Sequence, residues 1–190
     1  IAAALLPTAF NFDVIGYGCT SGSAIIGEEK VEKAIQVIHP NVPASNPMTA
    51  CKAALRALGL KQIAFLTPYD PSITTAMCEN LLAAGFEISI TGSFFESDDF
   101  KVGLISPQSI LEAIEKIGTR DDCDGVFVSC TNLRVAEIIE IAESRLGKPV
   151  TSSNHALAWH LLRLSGIQDC QENCGSLFRR QLNVEDEIIN

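Results

Sequence analysis

Two of the seven cysteines stand in matched settings. Cys19 closes the apolar run DVIGYG and opens the polar turn CTSGS, while Cys130 closes GVFVS and opens CTN ahead of LRVAEIIEIA. Each segment reads strand, Cys, Thr, small polar residue, helix. A thiol at a helix N-terminus feels the positive end of the macrodipole and free N–H groups, which favour thiolate. Those N–H groups, with the hydroxyls of Thr20, Ser21 and Thr131, would accept a carboxylate. Two activated thiols beside one anion site point to proton transfer at a carbon next to a carboxylate. For either cysteine alone the plain alternative is a small apolar residue buried at a strand end, and the matched pair argues against it. Tyr69, in FLTPYDPS, completes the set. Its strand should share a sheet with that of Cys130, so its phenol could donate to an anion, though a half-buried structural tyrosine explains it equally well.

Other chemistries fit less well. Gly16, Gly18 and Gly22 lie between a strand and a helix, but no acidic residue occurs from Lys33 to Tyr69 to hold a ribose, so dinucleotide binding is not expected. No Gly-Lys-Ser/Thr phosphate loop is present. A metal site is not expected either: Cys170 and Cys174 have no second ligand pair, and His155 and His160 are five apart, off the i, i+4 face of zinc helices. A Cys/His hydrolase is an inventory option given His39, His155 and His160, yet His155 reads better as a neighbour of a capping Asn154. Cys51, Cys78 and Cys123 lack a strand-end context and read as structural. Fourteen Lys and Arg against 23 Asp and Glu leave a net charge of −9 with no basic cluster, which excludes nucleic acid and an anionic membrane as partners. At 47% apolar residues the chain is too hydrophobic and periodic for a disulfide scaffold, so a reduced, cytoplasmic protein is expected.

The elements that position these residues follow from punctuation. Helix-like stretches repeatedly end in Gly and run into short apolar segments, as in KAALRALG then LKQIAFLTP, the pattern of parallel strands buried on both faces between helices. Strands are expected near 13–18, 62–67, 86–91, 125–129 and 149–151, and helices near 23–38, 49–58, 72–84, 107–117, 133–146 and 154–164. The proline-bearing segment 39–47 reads as a crossing between two halves, and the acidic turn 96–99 as a surface loop. The opening IAAALLP reads as the end of a helix whose beginning is absent.

At these residues the sequence resembles the aspartate/glutamate racemase superfamily, in the branch holding maleate cis-trans isomerase, arylmalonate decarboxylase and, nearest, the ectoine-utilisation isomerase-like proteins. The stretches that carry it are YGCTSGSAIIGEE, NPMTACKAALRALGLKQIAFLTPY, GSFFESDDFKVGLISPQSI, VFVSCTNLR and GKPVTSSNHALAWHLLRLSGI, covering most of 13–167. The resemblance implies an α/β fold of two similar lobes, each a parallel sheet flanked by helices, related by a pseudo-twofold with the active site in the cleft between them. The lobes would be 1–45 with 153–190, and 46–152. It further implies a small carboxylate substrate, no cofactor or metal, and a possible homo-oligomeric assembly. By position, Cys19 and Cys130 match the facing catalytic pair, and Thr20, Ser21, Tyr69 and Thr131 fall where the family binds the carboxylate.

The decarboxylase has Gly at the first cysteine position, so the presence of Cys19 favours isomerisation or racemisation over an arylmalonate decarboxylase-like reaction. A carboxylate-binding module with inert thiols is the alternative from another class. The family carries a further N-terminal strand and helix bearing a substrate-binding Asn, which 1–12 do not supply, so the N-terminal lobe is expected to be incomplete.

Overall fold

The computed structural model describes residues 2–183. Residues 184–190, the end of the expected first lobe, lie outside the described part. Two parallel sheets organise the chain. The smaller pairs β1 (Ile15–Gly16) with β2 (Ala44–Ser45), and the larger has the order β4-β3-β5-β6, formed by Glu87–Ser93, Gln62–Thr67, Gly125–Val128 and Val150–Ser152. The helices are α1 (Thr20–Ile26), α2 (Glu28–Gln36), α3 (Pro47–Ala57), α4 (Pro71–Ala83), α5 (Asp99–Leu104), α6 (Pro107–Gly118), α7 (Ile139–Leu146) and α8 (Ser153–Leu164). The expected α/β architecture of parallel sheets flanked by helices is what forms.

Three helices begin alike. Asn46, Asp70 and Ser106 each accept first-turn N–H groups of α3, α4 and α6, and a proline follows in each case. Proline at the first helical position has no N–H to waste and a preset φ, so Asn-Pro, Asp-Pro and Ser-Pro mark these starts. Strand β5 is buried along its whole length, and its Phe127 stacks on Phe65 of β3 with centroids 5.7 Å apart.

From β3 to β4 the chain steps one way along the sheet, and from β4 through β5 to β6 it steps the other. Right-handed crossovers then place α4 on one face and α6 and α7 on the opposite face. The direction reverses between β3 and β5, so the crevice for a ligand opens at the carboxyl ends of those two strands.

Several expectations need correction. The helix expected over 23–38 starts earlier and breaks at Gly27, whose φ of 96° only glycine adopts at ease. The supposed crossing 39–47 contains β2, and the acidic turn at 96–99 leads into α5, capped by Asp98. The helix expected from 133 begins at Ala136 as one 3-10 turn and becomes α-helical only at Ile139, because Leu133 and Val135 are buried by an irregular loop. The opening segment forms a short 3-10 turn, Ala2–Leu5, tied to the small core through Ala3.

Helix α8 joins the two sheets. It packs on α3 and touches β1, β2 and β6. Its Trp159 is fully buried and donates Nε1–H to the Arg180 carbonyl at 3.0 Å. Arg163, 3% exposed, donates to the carbonyls of Ile167, Asp169, Phe178 and Arg180, fastening the polar tail that carries no periodic pattern. His160 meets Ser45 Oγ through Nδ1 at 2.7 Å, and burial lowers its pKa to about 4. A histidine held neutral by burial supports the fold above its unfolded pKa of about 6.5 and loses that support as pH falls toward the folded value. Urea stability should therefore drop between pH 6.5 and 4, by up to roughly 3 kcal/mol from this residue. His160→Gln should flatten that part of the profile, with a residual slope from His155, which burial also lowers.

Candidate active site

Cys19 is the N-cap of α1. Its Sγ accepts the Gly22 N–H at 3.3 Å and lies 3.7 Å from Ser21 Oγ. The Tyr17 hydroxyl also lies near this sulfur. Glycine at position 22 makes that possible, because a Cβ there would collide with the Tyr17 hydroxyl and sit 3.0 Å from Cys19 Sγ. In the sequence Tyr17 is one residue of the apolar run DVIGYG, and the tight GYGCTSG spacing is the signal that points to it.

Cys130 is positioned differently from the expectation. No helix starts beside it, since a loop spans 131–135, and its φ is +105°, a region L-residues rarely occupy. The conformation turns the Asn132 N–H to Cys130 Sγ at 3.4 Å and brings the Leu133 N–H near, so local loop amides replace the helix terminus. The Cys130 N–H itself donates to Ser153 Oγ at 3.1 Å. Burial, with 4% of the residue exposed, raises the thiol pKa above its ordinary value, and Asp99 adds to this.

The reversal between β3 and β5 puts Tyr69 beside Cys130, each two residues beyond the end of its strand. The Ser129 N–H bonds the Leu66 carbonyl at 2.8 Å and fixes this register. The Tyr69 hydroxyl lies beside Cys130 and Ser21, and Cys19 is near enough to act on it electrostatically. Burial, then the neighbouring Cys130, pushes the phenol pKa far up, so Tyr69 stays a donor. Ser21 and Tyr69 thus connect the two cysteines.

A direct bond closes the arrangement. Thr131 Oγ1 donates to the Gly18 carbonyl at 3.1 Å, joining the residue after one cysteine to the residue before the other. Asn154, expected as the cap of α8, instead donates Nδ2–H to the Thr131 carbonyl at 2.6 Å, and Ser152 is the cap. Thr20 is 1% exposed and its hydroxyl has no partner among the described residues. The structure therefore brings Cys19, Ser21, Tyr69, Cys130 and Thr131 together, with Thr20 turned inward beside them.

The histidines lie elsewhere. His39 meets the Ala3 carbonyl at 3.0 Å, His155 meets Thr151 and the Cys174 carbonyl, and His160 meets Ser45. A Cys/His hydrolase needs one of them at a thiol, and all three are engaged away from both. Among the described residues no cluster of His, Cys, Asp or Glu could hold a metal ion, and no helix is long and apolar enough to cross a membrane.

Comparison with known proteins agrees with this fold. A maleate cis-trans isomerase from Nocardia farcinica, carrying a covalently bound succinylcysteine intermediate, superposes with a TM-score of 0.82 at 24% identity, covering 88% of this chain and 71% of that one. A maleate isomerase from Alcaligenes faecalis is 24% identical over 175 residues, 88% of this chain and 69% of that protein. An arylmalonate decarboxylase from Bordetella bronchiseptica is 29% identical over 132 residues, 66% of this chain and 52% of that protein. The fold is thus of the aspartate/glutamate racemase type, in the branch of maleate isomerases and arylmalonate decarboxylases. The family model described as arylmalonate decarboxylase matches residues 13–178, and the chain belongs to that family.

Because burial raises Cys130 and the Tyr69 hydrogen bond counters it, Tyr69→Phe should raise the thiol further. Iodoacetamide labelling of Cys130, followed by mass spectrometry against pH, should rise only near pH 9 or above. It should slow roughly tenfold at pH 9 in Tyr69→Phe, the scale of a hydrogen bond to a charged group.

Proposed function

We propose that this protein is a cofactor-independent isomerase or racemase of a small carboxylate, with Cys19 as the thiolate and Cys130 as the protonated partner. The observation that carries the reading is the convergence of Cys19, Ser21, Tyr69 and Cys130, with the Thr131 to Gly18 bond joining the turns of the two cysteines. Burial keeps Cys130 protonated at neutral pH, while Cys19 meets donors from Gly22, Ser21 and Tyr17, so the two thiols are suited to different roles. The substrate carboxylate would be held by Ser21, Tyr69, Thr131 and the α1 start, where Thr20 offers its backbone N–H.

In the isomerase version Cys19 Sγ forms a bond to one alkene carbon of a maleate-like substrate, and the π electrons move onto the other carbon and its carboxylate. The former double bond is now single and rotates. Breaking the C–S bond returns the electron pair to re-form the alkene as the trans isomer, with the Cys130 proton lent to the carbanion and taken back. The succinylcysteine of the Nocardia relative supports this version. In the racemase version one thiolate removes the α-proton and the other thiol delivers one to the opposite face.

The description of the matching family favours a second reading, decarboxylation, in which loss of CO2 leaves a carbanion that Cys130 protonates. Two lobes, 1–45 with 153–190 and 46–152, belong to the same proposal, supported by the two separate sheets.

Turnover should be measured on maleate, α-substituted dicarboxylates and arylmalonates. Cys19→Ser and Cys130→Ser should each lower isomerisation or racemisation by about a thousandfold or more. Full activity in either variant ends the two-cysteine reading. Release of CO2 that survives Cys19→Ser but not Cys130→Ser establishes the lyase instead, and dicarboxylate binding without turnover of any substrate establishes a binding module.

A further inference from the structure

The residues just before Cys19 are held on three sides. The Tyr17 N–H donates to the Ser45 carbonyl at 2.8 Å, continuing the pairing of β1 with β2. The Tyr17 ring packs against the small core of Ile15, Val31, Ile35 and Ala44. At Gly16 an added Cβ would sit 2.8 Å from Leu161 Cδ1, so the strand is pressed against α8. With its backbone paired and its ring packed, Tyr17 has little freedom left, and the fold decides where the hydroxyl stands.

It stands at the first turn of α1. A Cβ added at Gly22 would lie 3.0 Å from Cys19 Sγ and closer still to Tyr17 Oη, so the sulfur and the hydroxyl flank one spot that a single methyl group would fill. The Gly22 N–H reaches the same sulfur at 3.3 Å. Glycine weakens a helix, and it is usually kept where φ must be positive. Gly22 has no positive φ, so its backbone freedom is unused. What its absent side chain provides is room for the hydroxyl beside the thiol. Neighbouring Gly18 meets nothing within 4 Å, which makes the tight fit particular to position 22. Each cysteine thus has a phenol at its side, Tyr17 at Cys19 and Tyr69 at Cys130.

We propose that Tyr17 is a positioning residue for the reaction: its hydroxyl, admitted by the gap at Gly22, holds the Cys19 sulfur and stabilises it as the thiolate. The inference rests on Cys19 as the reacting thiol. A phenol O–H bonds an anionic sulfur more strongly than a neutral one, so the contact favours the form that attacks or abstracts. No proton passes to or from Tyr17. Burial, then the neighbouring Cys19, raises its hydroxyl above the ordinary value and keeps it a donor.

The test reads iodoacetamide labelling of each cysteine against pH, by mass spectrometry, in the native chain and in Tyr17→Phe, which keeps the ring in the small core. Labelling of Cys19 should slow roughly fivefold at pH 7.5, the scale of a hydrogen bond to a charged sulfur partly open to water. The difference should close toward pH 10, where the thiolate forms without help. Cys130 and the exposed Cys170 should be unmoved. Gly22→Ala, which fills the gap instead of emptying it, should slow Cys19 with the same pH dependence. A Cys19 profile that Tyr17→Phe leaves unchanged overturns the proposal, and so does a slowing that is equal at every pH, the mark of altered packing. In turnover, Tyr17→Phe should lower kcat several-fold near neutral pH with KM little changed, and the loss should recover as pH rises. A raised KM at unchanged kcat would assign the hydroxyl to the substrate and overturn the proposal as well. Failure of the two-cysteine reading appears in the serine variants described above, whereas failure of this role appears in the Cys19 labelling profile, which needs no turnover.

Discussion

The reversal of strand order between β3 and β5 leaves a crevice at their carboxyl ends, and the remaining features of the site are built into it. Two parallel neighbours that send their chains in opposite directions cannot cover their own ends. The residues two positions past each strand therefore face one another. In this chain those residues are Tyr69 and Cys130. The smaller sheet delivers Cys19 to the same place, and the Thr131 to Gly18 bond holds the two turns together. Helix α8 makes this possible from behind, because it packs on both sheets and its first residue, Ser153, accepts the Cys130 N–H.

Much of this was legible. Strand β3 has the expected bounds, and helices α3, α4, α6 and α8 start within two residues of the expected positions, because Pro after a capping residue and Gly after the last turn are local signals. Cys19 and Tyr69 could be found for a similar reason, since each stands within three residues of a strand end, and Ser21 follows in the first turn of α1. The surroundings of Cys130 were not legible. Leu133, Val135, Ile138 and Ile139 have a helix-like spacing, yet the first two are buried by an irregular loop, and burial alone does not specify backbone. Tyr17 was hidden because its ring belongs to the small core beside Ile15 while only its hydroxyl reaches the sulfur. Asn154 looked like a cap and serves instead as a tie to Thr131, a role set by tertiary neighbours.

The buried cation and indole at the end of α8 are met by carbonyls rather than by opposite charges. Arg163 bonds four main-chain oxygens, and Trp159 shares the last of them. A buried guanidinium so held needs no carboxylate partner, and the excess acid of the chain stays at the surface. The interior ion pair Glu28 to Lys52 at 2.5 Å is a contrasting case, stabilised by further hydrogen bonds from Thr49 and Asn80.

The backbone at Cys130 carries one more consequence. A φ of +105° suits glycine, and a residue with a Cβ holds it at a cost of about 1–3 kcal/mol. Glycine would relieve that strain and stabilise the fold, yet it would delete the thiol. This position therefore sets stability against chemistry, so a search for hardier variants that scores folding alone would select this sulfur away first.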